Sequence, residues 1–312
     1  MSTRRKHAGL RAMTAATLST TPAGSSRPRR GAARSRAAGF GWALLRWATV
    51  GLALAVTIVP FFWLVTTSFK RQIDYLAYPP ELIPPVWTLD GYRVLFEQQD
   101  LGHFFMNSVI VTVTSTALAV FIGALAAYSL ARARLPFRLN GILAFWMLLT
   151  RMYPAIATAI PYFLIMRDLR LLDTLPALIV TYTAFNLPFV IWLLIGFYEE
   201  LPIELERAAL IDGCSVWMRF RKIVLPLSAP ALVATAILSA VLAWNEFLFA
   251  VMLTRVNAKT LPVVMSGFIT DKGTQWDQMT ALGVITVLPV LVFALAVQRY
   301  LVRGLTLGAV KE

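Results

Sequence analysis

Cysteine is nearly absent from this chain, charge is scarce, and the common catalytic signatures are missing. Cys214 is the one cysteine among 312 residues. An intramolecular disulfide is therefore excluded, and there is no Cys/His cluster at metal-ligand spacing. The two histidines, His7 and His103, lie far from any constellation and are expected to be structural or solvated. No G-x-x-x-x-G-K-[ST] stretch occurs, so the chain is not expected to bind ATP phosphates itself. H-E-x-x-H and G-x-S-x-G are missing as well, and no Ser/His dyad falls inside the apolar runs. A membrane enzyme is poorly supported, and neither a metal nor a cofactor is expected on this chain. Charged residues make up 14% and hydrophobic residues 58%, far from the composition of a soluble globular domain.

Apolar length takes the place of chemistry. Several runs reach the roughly 20 residues that a helix needs to cross a bilayer. Six spans are expected, at about Trp47–Phe69, Phe104–Ala131, Gly141–Met166, Leu175–Tyr198, Ala229–Leu253 and Met279–Leu301. Trp42, Trp47 and Trp63 suit interfacial positions around the first span. Gly123 and Ala127 give the second a face that permits close helix packing. Pro154 and Pro161 interrupt the third, so kinks are expected there. Arg151 lies in the same apolar run, an expensive place for a charge, and is expected to serve stability. The fourth span carries Asn186-Leu187-Pro188, and the fifth ends in A-W-N-E-F-L-F-A, with Asn245-Glu246 as its polar interruption.

The net charge of +13 is unevenly placed. Met1–Arg36 holds nine Lys or Arg and no acidic residue, and residues 1–40 are expected to form a disordered basic tail. Its composition also fits an organelle transit peptide. With the N-terminus inside, 20 of the 29 basic residues fall on the cytoplasmic side, which obeys the positive-inside rule. The charge thus reports topology, and nucleic acid is not an expected partner. Residues 41–312 are read as one membrane domain.

One charged stretch stands out on the cytoplasmic side of this six-span arrangement, Leu201–Pro230. Ile203–Ile211 is rich in good helix formers. Asp212-Gly213 supplies a stop. Ser215 can cap a second helix over Val216–Val224 that Pro226 ends. Here E-R-A-A-L-I-D-G-C, followed by F-R-K-I-V-L-P, resembles the EAA loop of binding-protein-dependent ABC importer permeases. Arg207 stands where the family pattern has Glu, with Glu206 one position earlier. W-T-L-D-G-Y-R-V-L-F, G-A-L-A-A-Y-S-L-A-R-A-R and the C-terminal R-G-L-T-L-G-A-V-K-E resemble the carbohydrate-uptake branch, maltose-type smaller permease. The resemblance implies an all-α membrane fold of six transmembrane helices with a cytoplasmic helix-turn-helix over 199–226. It also implies that the loop couples to ATPases, through Glu206, Arg207, Ala208, Ala209, Asp212, Gly213, Phe220, Ile223, Leu225 and Pro226. The partners it implies are a second permease, an ATPase dimer carrying ATP and Mg, an extracytoplasmic binding protein and a sugar-like solute. Asn186, Trp244, Asn245 and Glu246 are candidates for the solute path, with Trp244 stacking on a sugar ring. The same residues fit bonds to neighbouring helices. An ion-coupled secondary transporter is the rival reading; it needs intramembrane carboxylates and usually inverted repeats, and only Glu246 qualifies. A membrane scaffold without transport is the third.

Overall fold

A computed structural model describes residues 30–133, 136–271 and 273–308. The chain divides into two units, 1–58 and 59–312. Helix α1 (Arg30–Thr67) starts upstream of the expected first span. Ala and Arg, both good helix formers, make up most of the stretch before Trp42, and a helix already nucleated by a span extends into them at little cost despite Gly31, Gly39 and Gly41. Residues 30–40, expected to be disordered, are therefore helical; the rest of that expected tail, 1–29, lies outside the described residues. Within the first unit, the side chains of residues 42–58 are exposed and mostly apolar.

The second unit is helical apart from a two-residue ladder. Its helices are α2 (Asp90–Glu97), α3 (Leu101–Arg132), α4 (Leu139–Met152), α5 (Ala155–Asp168), α6 (Leu175–Glu200) and α7 (Ile203–Ile211). There follow α8 (Val216–Arg219), α9 (Leu225–Leu227), α10 (Ala229–Trp244), α11 (Leu248–Leu253), α12 (Leu261–Ser266) and α13 (Trp276–Gly308). Strands β1 (Ile269–Thr270) and β2 (Gly273–Thr274) pair antiparallel just before α13. Four helices among the described residues are long and apolar enough to cross a membrane, and six spans result if each bent pair is one.

One bent pair is the third expected span; the other joins the second helix of the expected loop to the first part of the fifth span. Between α4 and α5 the chain turns by 94° at Pro154, which lacks the N–H that a continuous helix needs. Pro161 lies inside α5 without breaking it. The other bend, 75°, separates α8–α9 from α10 at Ser228. Past α10 the fifth expected span stops being helical at Asn245, and the chain resumes as α11.

Helices α3 and α6 form the central pair, and α10 lies against both and against α13. The close approach of α3 and α6 rests on small residues. A Cβ added at Gly123 would stand 2.6 Å from Cγ1 of Val190, inside any real carbon contact. Ala119, Ala124 and Ala127 continue that buried face of α3. Without a hydrophobic driving force in lipid, such small-residue contacts hold helices together by van der Waals packing.

Candidate functional site

The loop after α6 is built as the sequence predicts at its first turn. Helix α7 buries Glu206 and Ala209, three residues apart on one face, and exposes Arg207 and Ala208. Gly213 has φ +80°, the left-handed conformation that only glycine adopts without strain. Around it the Cys214 N–H donates to the Ala209 carbonyl at 2.9 Å and the Gly213 N–H to Leu210 at 3.0 Å. This pair of bonds is the Schellman cap, which satisfies the last carbonyls of α7. Ser215 then caps α8, its hydroxyl accepting from the Met218 N–H at 3.3 Å.

The second half of the loop departs from expectation. The α-helical hydrogen bonding predicted over Val216–Val224 holds only to Arg219. Phe220–Val224 is a π-turn, in which the Leu225 N–H donates to the Phe220 carbonyl. Pro226 does not end the helix; it sits in the first turn of α9. Part of the physical reason is the burial of Phe220 and Val224, and part is local. A proline ring clashes with the carbonyl four residues earlier and offers no donor. One extra residue in the preceding turn relieves both conflicts. Phe220 and Val224 are buried, while Ile223 and Leu225 are half-buried. The Phe220 ring meets Tyr128 of α3 at 5.0 Å between centroids and Trp217 at 5.7 Å.

Glu206 is the anchor of the loop. It is 4% exposed. One carboxylate oxygen accepts from Arg132 Nε at 2.6 Å, and the other from the Tyr128 hydroxyl at 2.7 Å. Arg132 also donates from Nη2 to the Leu201 carbonyl at 3.0 Å. Both partners project from the last turns of α3, four residues apart, and therefore share a face. Sequence reasoning missed Tyr128 and Arg132 as functional residues. The available signal was that spacing, in A-Y-S-L-A-R, at the end of a span. Away from the anchor the loop exposes apolar side chains at its turn, flanked by charged ones: Leu210 is 56%, Ile211 87% and Val216 60% exposed.

A cavity of about 290 Å³ lies between α6 and the end of α10. Asn186, Asn245 and Glu246 line it together with Tyr182, Phe185 and Val241. Three of the four candidate path residues thus meet at one place. Trp244 does not join them. It is buried elsewhere, its Nε1 donates to the Thr286 carbonyl at 3.1 Å, and its ring packs edgewise on Phe105 and Phe293. Neighbouring helical residues point about 100° apart, so Trp244 and Asn245 serve different surfaces. Arg151 places its guanidinium over the rings of Phe185 and Phe189, at 5.1 and 5.5 Å. That stacking compensates a charge held in an apolar run.

A third polar constellation was not foreseen. Asp173, between α5 and α6, accepts the backbone N–H groups of Arg255, Val256, Asn257 and Ala258 at 2.9–3.2 Å. Burial pushes its carboxyl up, but the four backbone donors outweigh this and bring it down to about 2. Asn107 and His103 of α3 bind the Asn257 carbonyl at 2.8 and 2.7 Å, giving His103 its structural role. Among the described residues, no group of His, Cys, Asp or Glu has the geometry to hold a metal.

Comparison with known proteins places this architecture. The family model described as "Binding-protein-dependent transport system inner membrane component" matches residues 119–307, which include the whole loop. A probable ABC transporter permease of Sinorhizobium fredii is 40% identical over 86% of this chain and 95% of its own length. A trehalose transport system permease of Mycobacterium tuberculosis is 38% identical over 86% of this chain and 97% of its own. Among solved structures, a chain of a bacterial ABC transporter that imports alginate superposes with a TM-score of 0.69. It covers 90% of this chain and 99% of that one at 23% identity, a likeness of fold. With the capped and anchored helix-turn-helix inside the matched region, the chain belongs to the inner-membrane components of binding-protein-dependent transport systems, as a multi-pass ABC transporter permease.

Proposed function

We propose that this chain is the transmembrane subunit of an ATP-driven importer that carries a sugar or sugar-like solute across the cytoplasmic membrane. The observation that carries the reading is the loop over 199–226. It is fixed to the α3 end through Glu206, runs through α9 into α10, and turns an exposed apolar face outward. Such a face fits a partner protein. That partner is an ATPase dimer, which supplies ATP and Mg; the permease itself is non-catalytic. Loop and both termini lie in the cytoplasm, consistent with the excess of basic residues on that side. A second permease completes the pathway, and an extracytoplasmic binding protein delivers the solute. The sugar class follows from the trehalose system named for one relative and the alginate importer whose fold is shared. In this mechanism ATP-driven closure of the ATPases moves the loop as a lever. The motion reaches α10 with little slack and switches the bundle between two packings.

The test is solute-stimulated ATP hydrolysis by the reconstituted complex with Gly213→Pro. Proline fixes φ near −65° where the turn needs +80°, and it removes the N–H that bonds Leu210. Loss of stimulation in an assembled complex supports the coupling role. Normal stimulation refutes it. Failure of any ATPase to associate with the wild-type chain moves the secondary-transporter and scaffold readings ahead.

A further inference from the structure

We propose that the cavity between α6 and the end of α10 is a contact site, on this chain itself, for an uncharged, hydroxyl-rich solute. The inference rests on the importer reading above and adds to it a solute-contacting role for this subunit. Asn186 carries the argument. It is 3% exposed, and among the described residues its carboxamide makes no hydrogen bond, though it lines the cavity. Its amide meets the cavity instead of a protein partner, so its donors and its acceptor are open to whatever fills that space. Around the same space, Asn245 spends its Nδ2 on the Val241 carbonyl at 2.8 Å, which leaves its oxygen available. One oxygen of Glu246 accepts the Phe249 N–H at 2.7 Å, and the carboxylate, with about four lone-pair sites, keeps acceptor capacity beyond that bond. The Tyr182 hydroxyl is already turned to the Glu246 carbonyl at 3.3 Å.

The unspent groups are therefore three acceptors and one amide donor pair on a wall that also carries the Phe185 and Tyr182 rings. A sugar or polyol matches that wall. Its hydroxyls donate to the acceptors and accept from the Asn186 amide, and its C–H face lies against the aromatic rings. A carboxylate or sulfonate offers acceptors only: it can take the Asn186 amide donors, but it leaves Glu246 and the two amide oxygens facing further acceptors. The volume, about 290 Å³, lies near the lower end of ligand pockets and suits one sugar ring. The break after α10, at Asn245-Glu246, borders this space, and Asn186 faces it from the unbroken α6. Interrupted helices line polar cavities where a membrane protein handles a polar solute.

The experiment uses the complete complex, with its second permease, ATPases and binding protein, in proteoliposomes. The probes are radiolabelled glucose, trehalose, maltose and inositol, with glucuronate as the acidic counterpart. A neutral probe is expected to be imported by the wild type. Asn186→Leu is expected to lower solute imported per ATP hydrolysed by about tenfold, the worth of one well-made hydrogen bond. Asn245→Ala, at an exposed position, gives a second and milder reading should Asn186→Leu fail to assemble. Glu246→Gln keeps an acceptor for the Phe249 N–H and is expected to raise glucuronate import relative to the neutral sugars. A wild-type ratio and half-saturation in both assembled asparagine variants would mean that the cavity holds only water and would overturn the proposal. Import of glucuronate in preference to every neutral probe, or of no neutral probe, overturns the solute class. Gly213→Pro serves as the separate control, since it bears on the coupling turn and its failure would sink the importer reading instead.

Discussion

Single residues fix two distances in this molecule. Gly123 sets the spacing of α3 and α6, because its missing Cβ would fall 2.6 Å from Val190 Cγ1. Alanine there is a poor probe, since its helix propensity returns about 1 kcal/mol of what the clash costs. Valine is a clear one. Gly123→Val is expected to cost about 1–3 kcal/mol through overpacking, and Val190→Ala in the same chain should recover most of it. Thermal denaturation of the purified subunit, taken around the double-mutant cycle, checks the pair; additive losses would place the clash elsewhere. Asp173 holds the segment 255–258 by its charge. Its carboxyl titrates near 2 when folded, below the ordinary value of about 4. Its contribution is therefore fully present above about pH 4 and is lost as the pH falls towards 2. Unfolding midpoints between pH 6 and 2 should show this loss in the wild type and a flatter profile for Asp173→Asn. Parallel profiles would deny the carboxylate this role.

At the scale of the element, the loop is held by a few strong bonds whose loss can be ordered. Glu206→Ala leaves Arg132 and Tyr128 facing an empty site and is expected to cost about 3–5 kcal/mol, nearer the lower figure because Arg132 retains some access to water. Tyr128→Phe removes one hydrogen bond to a charged group, about 1.5–3 kcal/mol. Trypsin reads the result, because Arg207, Arg221 and Lys222 are exposed and become cleavable once the loop loosens. Cleavage should quicken most in Glu206→Ala and less in Tyr128→Phe. The same loop shows what a sequence discloses. Its first turn was legible, because Asp212-Gly213 and Ser215 act through bonds between near neighbours. The π-turn was not, since its width reflects both Pro226 and the burial of Phe220 and Val224 against α3. The anchor was not either: it joins residues 74 and 78 positions apart, and Arg132 reads locally as one more loop cation. Polar residues inside apolar runs singled out Asn186, Asn245 and Glu246, and the structure brings these three to one cavity. Trp244, read as a ring that stacks on a sugar, is buried elsewhere, because successive helical residues point about 100° apart. Bends at Pro154 were legible as expectations, though the angle of 94° depends on packing.

At the scale of the whole molecule, the loop has two sides in different surroundings. Glu206, Ala209, Phe220 and Val224 bind it to the helices of its own chain, while Leu210, Ile211 and Val216 face away. This division makes association separable from folding. Ile211, 87% exposed, contributes little to the subunit's own stability, and a surface substitution of this kind usually stays within about 0.5 kcal/mol. Against an apolar partner cleft, a buried carboxylate without a counter-ion is far more costly. Ile211→Glu is therefore expected to leave thermal unfolding of the subunit unchanged and to cut ATPase co-purification by tenfold or more, about 1.4 kcal/mol of binding at the least. Val216→Glu, on the other side of the turn, should act alike. Trp217 is a poorer site for the test, because its ring also packs on Phe220 and its loss would confuse folding with association. Full ATPase recovery with both carboxylate variants would mean that the partner meets another surface. A shared fall in co-purification with the unfolding midpoint preserved would place the contact on this face and leave the Glu206 anchor to carry the motion inward.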